Sequence, residues 1–341
     1  MALAAASLPQ VNLRRAEWIR MAIVGLFVVL AVGRVAPDIA RLYFPLGEFE
    51  YVTDGDGVVI HTRDDGARPS PRDTDRIELG DRVLVNRIKP FDRKEGIVGI
   101  GYTYDNLTRV LAVERRGHEV QLHLKGTRET IASRALTALR VAIYFAIVVL
   151  GAILFLVQPS IATAAILAYC LANEGPSTFL SLQIPNPWRQ IYDWYAATSI
   201  GMARPALLLF AVCLLSDRPR VQRAAAYATG SIGLVLGTLH AYELWLQTYA
   251  ARPAASLAQA YATVSNIVTW ITIAAIFGAF ALARGDQRRR IGWMVASFAF
   301  ASVARLASDA FYPVRIAPWE NGILLSATLL PILVVWVAVI R

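Results

Sequence analysis

The residue types that most often carry chemistry are few in this chain, and they do not cluster. Its four histidines are His61, His118, His123 and His240, and its two cysteines are Cys170 and Cys213. His118 and His123 lie five residues apart in an alternating segment, so on a regular strand they would face opposite sides. Both cysteines sit inside apolar runs, where a free thiol behaves as a small buried hydrophobe. The sequence holds no His-Glu-x-x-His pair for a metalloprotease and no Gly-x-Ser-x-Gly nucleophile turn. Gly99-Ile100-Gly101 lacks the further glycine of a nucleotide-binding turn. No catalytic residue, metal set or cofactor is assigned.

The residues that stand out are polar groups inside apolar runs. Asn173 and Glu174 interrupt one run, and Arg204 precedes Pro205 in the next. His240 and Glu243 are three apart and share a helix face. Arg305 and Asp309 are four apart, a spacing that suits an ion pair within one helix. Ionisable groups at membrane depth are costly and therefore candidate functional residues. Two readings compete. In one, these groups pair between helices and fix a bundle, Glu174 with Arg204 for example. In the other, they line a buried sensing or transport pocket.

Positioning such residues requires membrane helices, and the composition predicts them. The chain is 56% hydrophobic and 17% charged, against roughly 25% charged for an ordinary soluble chain. The charge is segregated: 17 of the 25 acidic residues lie in 36–137, together with 16 Lys/Arg, so the +9 net charge belongs to the remainder. Such an excess reads as loop asymmetry across a bilayer; no nucleic-acid surface is inferred. A helix needs about 20 apolar residues to cross the hydrocarbon core. The first span is 18–35, ending before Pro37 and preceded by Arg14 and Arg15, and it reads as a retained anchor. Seven more follow at about 138–157, 160–182, 194–215, 223–247, 260–283, 291–312 and 322–340. With residues 1–17 inside, the inner loops collect Arg218, Arg220, Arg223, Arg284, Arg288, Arg289 and Arg290, while the short outer loops hold only Arg189, Arg252 and Arg315. The expectation is a cytoplasmic N-terminus, an extracytoplasmic domain over 36–137, and a seven-helix bundle over 138–341 whose C-terminus is cytoplasmic.

The segment 46–130 alternates short β-type runs with turn signals. Phe49 to Val52 leads to Asp54-Gly55-Asp56-Gly57, and Val58 to Ile60 follows. Gly80-Asp81 precedes Arg82 to Val85. Thr108 to Val113 and Val120 to Leu124 flank Arg115-Arg116-Gly117 and predict a closing hairpin.

Gly80-Asp81-Arg82-Val83-Leu84 resembles the turn of bacterial PDZ domains, and the hairpin of Val110 to Leu124 is similar to the hairpin that closes that fold. The resemblance implies a short helix within Gly66 to Leu79 and binding of an extracytoplasmic peptide or protein by strand addition, with Gly80, Asp81, Arg82 and Val83 as candidate ligand-binding residues. In the membrane part, Met202 to Phe210 running into Ser216-Asp217-Arg218-Pro219-Arg220, together with Leu330-Pro331 through Arg341, resembles the sensor region of bacterial multi-span histidine kinases. The order of anchor, PDZ-like domain and helical bundle also matches. The implied fold is a membrane all-α bundle of about eight transmembrane helices with an inserted extracytoplasmic β-rich PDZ-like domain. The implied function is a receptor module of a two-component system in a bacterial inner membrane, a homodimer that passes its signal to a cytoplasmic partner or to a kinase domain beyond Arg341. The alternatives are a transporter or channel with a regulatory outer domain, and a membrane enzyme, for which no nucleophile, base or metal set is visible.

Overall fold

The computed structural model describes residues 10–43, 46–53, 58–62, 77–87, 100–104, 108–125, 127–128, 131–172, 188–250, 254–310 and 329–340. Helix α1 runs Gln10–Tyr43 and is followed by strands β1 (Leu46–Thr53), β2 (Val59–Thr62), β3 (Arg82–Val83), β4 (Ile100–Tyr104), β5 (Thr108–Arg115), β6 (His118–Lys125) and β7 (Thr127–Arg128). Among the described residues, helices α2 (Ile131–Val157), α3 (Ile161–Ala172), α4 (Trp188–Leu215), α5 (Pro219–Thr248), α6 (Ala255–Leu282), α7 (Gly285–Ala310) and α8 (Leu329–Ile340) follow.

Among the described residues, four helices are long and apolar enough to cross a membrane, over Glu17–Ala36, Thr137–Val157, Gln190–Leu215 and Ser256–Leu282. Their large apolar side chains point outward as well as inward: Val29 of α1, Trp270 and Phe277 of α6 are all more than half exposed. That is the arrangement of a helix bundle solvated by lipid, and the chain is a membrane-embedded helical protein. Of the other four expected spans, α5 and α7 have sufficient length, 30 and 26 residues, but neither is apolar enough to stand with these four. The described parts of α3 and α8 are 12 residues each.

The first helix differs from expectation. Instead of stopping before Pro37, α1 continues through it to Tyr43. A proline inside a helix removes one backbone hydrogen bond, and a helix packed against neighbours tolerates that loss.

The bundle core joins Ile147 and Leu154 of α2, Ile166 and Cys170 of α3, Phe210 of α4, Met294 of α7, and Ile332 and Val335 of α8. Helix α4 packs on α3, α5 and α6, and α8 packs on α2 and α7. The tightest crossing is α4 on α5. A Cβ placed on Gly201 would lie 2.4 Å from the Gly237 Cα, and one on Gly237 would lie 2.6 Å from the Thr198 carbonyl oxygen. Gly233 and Gly237 form a small-x-x-x-small pair, which lets two backbones approach closely where no hydrophobic force separates lipid from protein.

Among the described residues, the β-rich segment contains two sheets. One has β1 paired antiparallel with β2, β4 and β7; the other has the order β3-β5-β6. The expected closing hairpin is present, with Thr108↔Lys125 through Arg115↔His118 in register. Its two-residue turn, Arg116-Gly117, has φ of +53° and +80°, the positive values that match a hairpin's right-handed twist. Leu111, Val113 and Leu122 bury one face against Val59 and Val83. The two sheets touch through β2 and β3: Val59 N–H donates to the Asp81 carbonyl at 2.7 Å, and Gly80 N–H donates to the Val59 carbonyl at 2.9 Å. The turn at Asp54 to Gly57 and most of the segment expected to hold a short helix, 66–76, lie outside the described residues.

Candidate functional site

Gly80 to Val83 forms a corner of the β-rich segment. Gly80 takes φ +88°, a value that favours glycine. Asp81 is 1% exposed. Its carboxylate accepts the Glu78 N–H at 2.8 Å and receives Arg115 through both Nε, at 2.8 Å, and Nη2, at 2.7 Å. Arg115 Nη1 also reaches Glu78 at 3.1 Å. Val83 is in the sheet core, and Arg82 pairs with Glu114 across β3 and β5. The acid and the apolar side chain of this segment are therefore engaged within the fold, leaving Gly80 and Arg82 at the surface.

In the bundle, Asn173 and Glu174 lie outside the described residues. Arg305 and Asp309 occupy the last turns of α7, where the backbone alone is described. Arg204, His240 and Glu243 are brought together around α6. Arg204 of α4 donates through Nη1 to Ser265 Oγ, and its contact with Asn266 Oδ1 is 3.4 Å. His240 Nδ1 is 3.2 Å from Glu243 Oε2, and the His240 ring stacks on Tyr261 at 4.5 Å. Tyr261 and Ser265 are one turn apart on α6, so they share a face. The two polar groups thus meet at one junction of α4, α5 and α6, packed beside Leu208, Leu236 and Val268. Among the described residues Arg204 meets a hydroxyl and an amide there; Glu174, the partner expected for it, lies outside them.

One site escaped the sequence reading. Arg34 lies within the apolar stretch of α1 and is 1% exposed. Its Nη1 donates to Ser199 Oγ of α4, and its Nε has no hydrogen-bond partner among the described residues. The surrounding tyrosines hold the helices in place around it. Tyr192 donates to the Arg34 carbonyl at 2.8 Å, Tyr195 donates to the Leu30 carbonyl, and Tyr144 of α2 donates to the Leu171 carbonyl at 2.9 Å. A helical side chain leans toward its own N-terminus, so Arg34 reaches back along α1 to Ser199, seven residues beyond Tyr192 on the antiparallel α4. The signal in the sequence is a lone cation in the run Met21 to Val35, which hydropathy averaging hides.

The ends of α4 and α5 are tied as well. Tyr249 donates to Asp193 Oδ2 at 2.9 Å, and Trp245 Nε1 lies 3.4 Å from Gln190 Oε1. Among the described residues no group of three or more His, Cys, Asp or Glu side chains could hold a metal. No protein-family model matches this chain, and no curated protein matches it.

Proposed function

We propose that the chain is the membrane receptor module of a signalling protein. On this reading the β-rich segment is an extracytoplasmic, PDZ-like input domain, α1 to α8 are its transmembrane helices, and a homodimer in a bacterial inner membrane relays the signal to a cytoplasmic output. The observation that carries it is how the β-rich segment is mounted. It begins three residues after α1 ends and stops three residues before α2 starts. Arg134 of α2 donates to the Leu42 carbonyl of α1, which joins the two helices at its base. From there α1 is keyed to α4 by Arg34 and Ser199, and α2 packs on α8. A ligand that favours one pose of the domain then biases the packing of the bundle by its differential affinity for the two states.

The test uses the whole chain in lipid nanodiscs, with spin labels at positions 290 and 337 on α7 and α8. Replacing 46–130 by a flexible linker is expected to shift the distance distribution between the labels. An unchanged distribution would remove the coupling on which this reading depends. Orientation has its own check in intact cells. A cysteine at Asn86, which is exposed, is expected to react with an impermeant maleimide from outside, and one at Arg218 only after permeabilisation; the reverse pattern would invert the topology.

A transporter is the second reading, favoured by the Arg204, His240 and Glu243 junction within the bundle. Solute flux through proteoliposomes that is lost in Arg204→Gln would establish it in place of the receptor.

A further inference from the structure

We infer that the buried, incompletely partnered guanidinium of Arg34 binds an anionic amphiphile of the bilayer, its oxyanion head on the guanidinium and its apolar tail along α1. This stands whether the chain signals or transports, because it rests on the surroundings of Arg34 alone.

A guanidinium carries five N–H donors and a fixed positive charge. Among the described residues, Arg34 uses Nη1 on the Ser199 hydroxyl and leaves Nε without a partner. Ser199 spends its own proton on the Ala196 carbonyl at 2.8 Å, so it offers a lone pair and no charge. Burying a cation at 1% exposure with one neutral acceptor is far from balanced, since desolvation of an ion exceeds what a single neutral hydrogen bond returns. The remaining edge of the guanidinium fork matches two oxygens of a carboxylate or phosphate. The hydroxyls of Tyr192, Tyr195 and Tyr144 are committed as donors to backbone carbonyls, which fixes the walls without neutralising the charge.

The tail follows from the surroundings. Ala31, Val35, Val148 and Leu171 line the cluster into which Tyr144 packs, so on this side the described residues around the site are apolar. Beside Arg34, Gly33 faces open space where a side chain would stand, and Val29 and Val32 are exposed along the same helix. This outward, apolar surface of α1 is where the chain of such an amphiphile would lie. Two carboxylates of the chain itself are the competing occupants. Asp38 lies one turn further along α1, and Glu174 follows Leu171 by three residues.

The experiment is native mass spectrometry of the full chain, delipidated in a neutral detergent and titrated with dioleoyl phosphatidylglycerol, oleate, inorganic phosphate and, as uncharged control, dioleoylglycerol. The expected result is one bound phosphatidylglycerol or oleate per chain and no retained dioleoylglycerol. Which of the two anions binds more tightly identifies the head as phosphodiester or carboxylate. Arg34→Gln is expected to weaken binding by about tenfold or more, the worth of a hydrogen bond to a charged group, while Arg290→Gln on the exposed end of α7 leaves it unchanged. Should Arg34→Gln fail to fold, the comparison of charged with uncharged amphiphile on the wild-type chain still decides. Equal retention of dioleoylglycerol overturns the proposal. So does inorganic phosphate binding as well as the lipid, which would make this a free-anion site. Binding that appears only in Asp38→Asn or Glu174→Gln also overturns it, because the charge is then neutralised from within.

Discussion

Gly237→Val is expected to drive α4 and α5 apart and to destabilise the bundle by on the order of 3 kcal/mol or more. Overpacking of a filled interface usually costs about 1–3 kcal/mol when side chains can adjust. Here they cannot. A Cβ on Gly237 meets the Thr198 carbonyl oxygen at 2.6 Å and the Thr198 Cα at 2.9 Å, both backbone atoms. Gly201 faces the same crossing from the other helix, with the Gly237 N and Cα at 2.4 Å from its hypothetical Cβ, so neither helix can yield without the other. The loss should also reach the polar junction. His240 lies one turn beyond Gly237, and Arg204 lies three residues beyond Gly201, so separating the helices pulls His240 and Arg204 away from Tyr261 and Ser265. Thermal unfolding of the purified chain in one detergent provides the readout, with an expected fall of roughly 6–12 °C. Gly230→Val is the matched control: it lies on the same helix, and a Cβ there has nothing within 4 Å. If both variants melt alike, the close crossing is not what holds α4 to α5.

The second large effect is expected at Asp81. Asp81→Ala leaves the Arg115 guanidinium, 13% exposed, with its bidentate partner removed. Breaking a buried ion pair by deleting one member costs about 3–5 kcal/mol, because an uncompensated charge stays behind. Glu78 remains 3.1 Å from Arg115, but it is 47% exposed and recovers only part of the loss. The segment 36–137 has no tryptophan, so hydrogen exchange of the full chain is the suitable probe. Amides of Leu111, Ala112, Val113 and Leu122 should exchange about a hundredfold faster, as each 1.4 kcal/mol of lost protection gives a factor of ten. Removing the Arg87 and Glu119 pair, 3.6 Å apart with side chains 62% and 43% exposed, is expected to change little, in keeping with surface ion pairs. Equal exchange in the two variants would mean that Asp81 is not a structural keystone of this corner, and would return it to the candidates for ligand binding.

Both effects trace back to what could and could not be read from the sequence. The closing hairpin was legible because its information is local. Alternation over Thr108 to Val113 and Val120 to Leu124 sets which side chains face the core, and the Arg116-Gly117 turn accepts the positive φ values that the hairpin requires. The apolar stretches in α1, α2, α4 and α6 were legible for the same reason, since crossing a bilayer depends on length and composition along one continuous segment. His240 and Glu243 belong here too, as a helix brings residues three apart together without help from any other element.

What only the tertiary structure decided are the meanings of single residues with distant partners. The sequence marked Asp81 as part of a turn, but it took Arg115, 34 residues later, to make it a buried ion pair. It marked Arg204 as costly, but Ser265 and Asn266 of α6 supply its contacts. It passed over Gly201 and Gly237, whose importance exists only where two backbones cross. Arg34 shows the division most sharply. Within α1 it is one charge in an apolar run, and hydropathy averages it away. Its burial, its hydroxyl partner and its unfilled Nε among the described residues arise from α4 and α2 folding against it, because burial and pairing are properties of a neighbourhood assembled from segments more than a hundred residues apart.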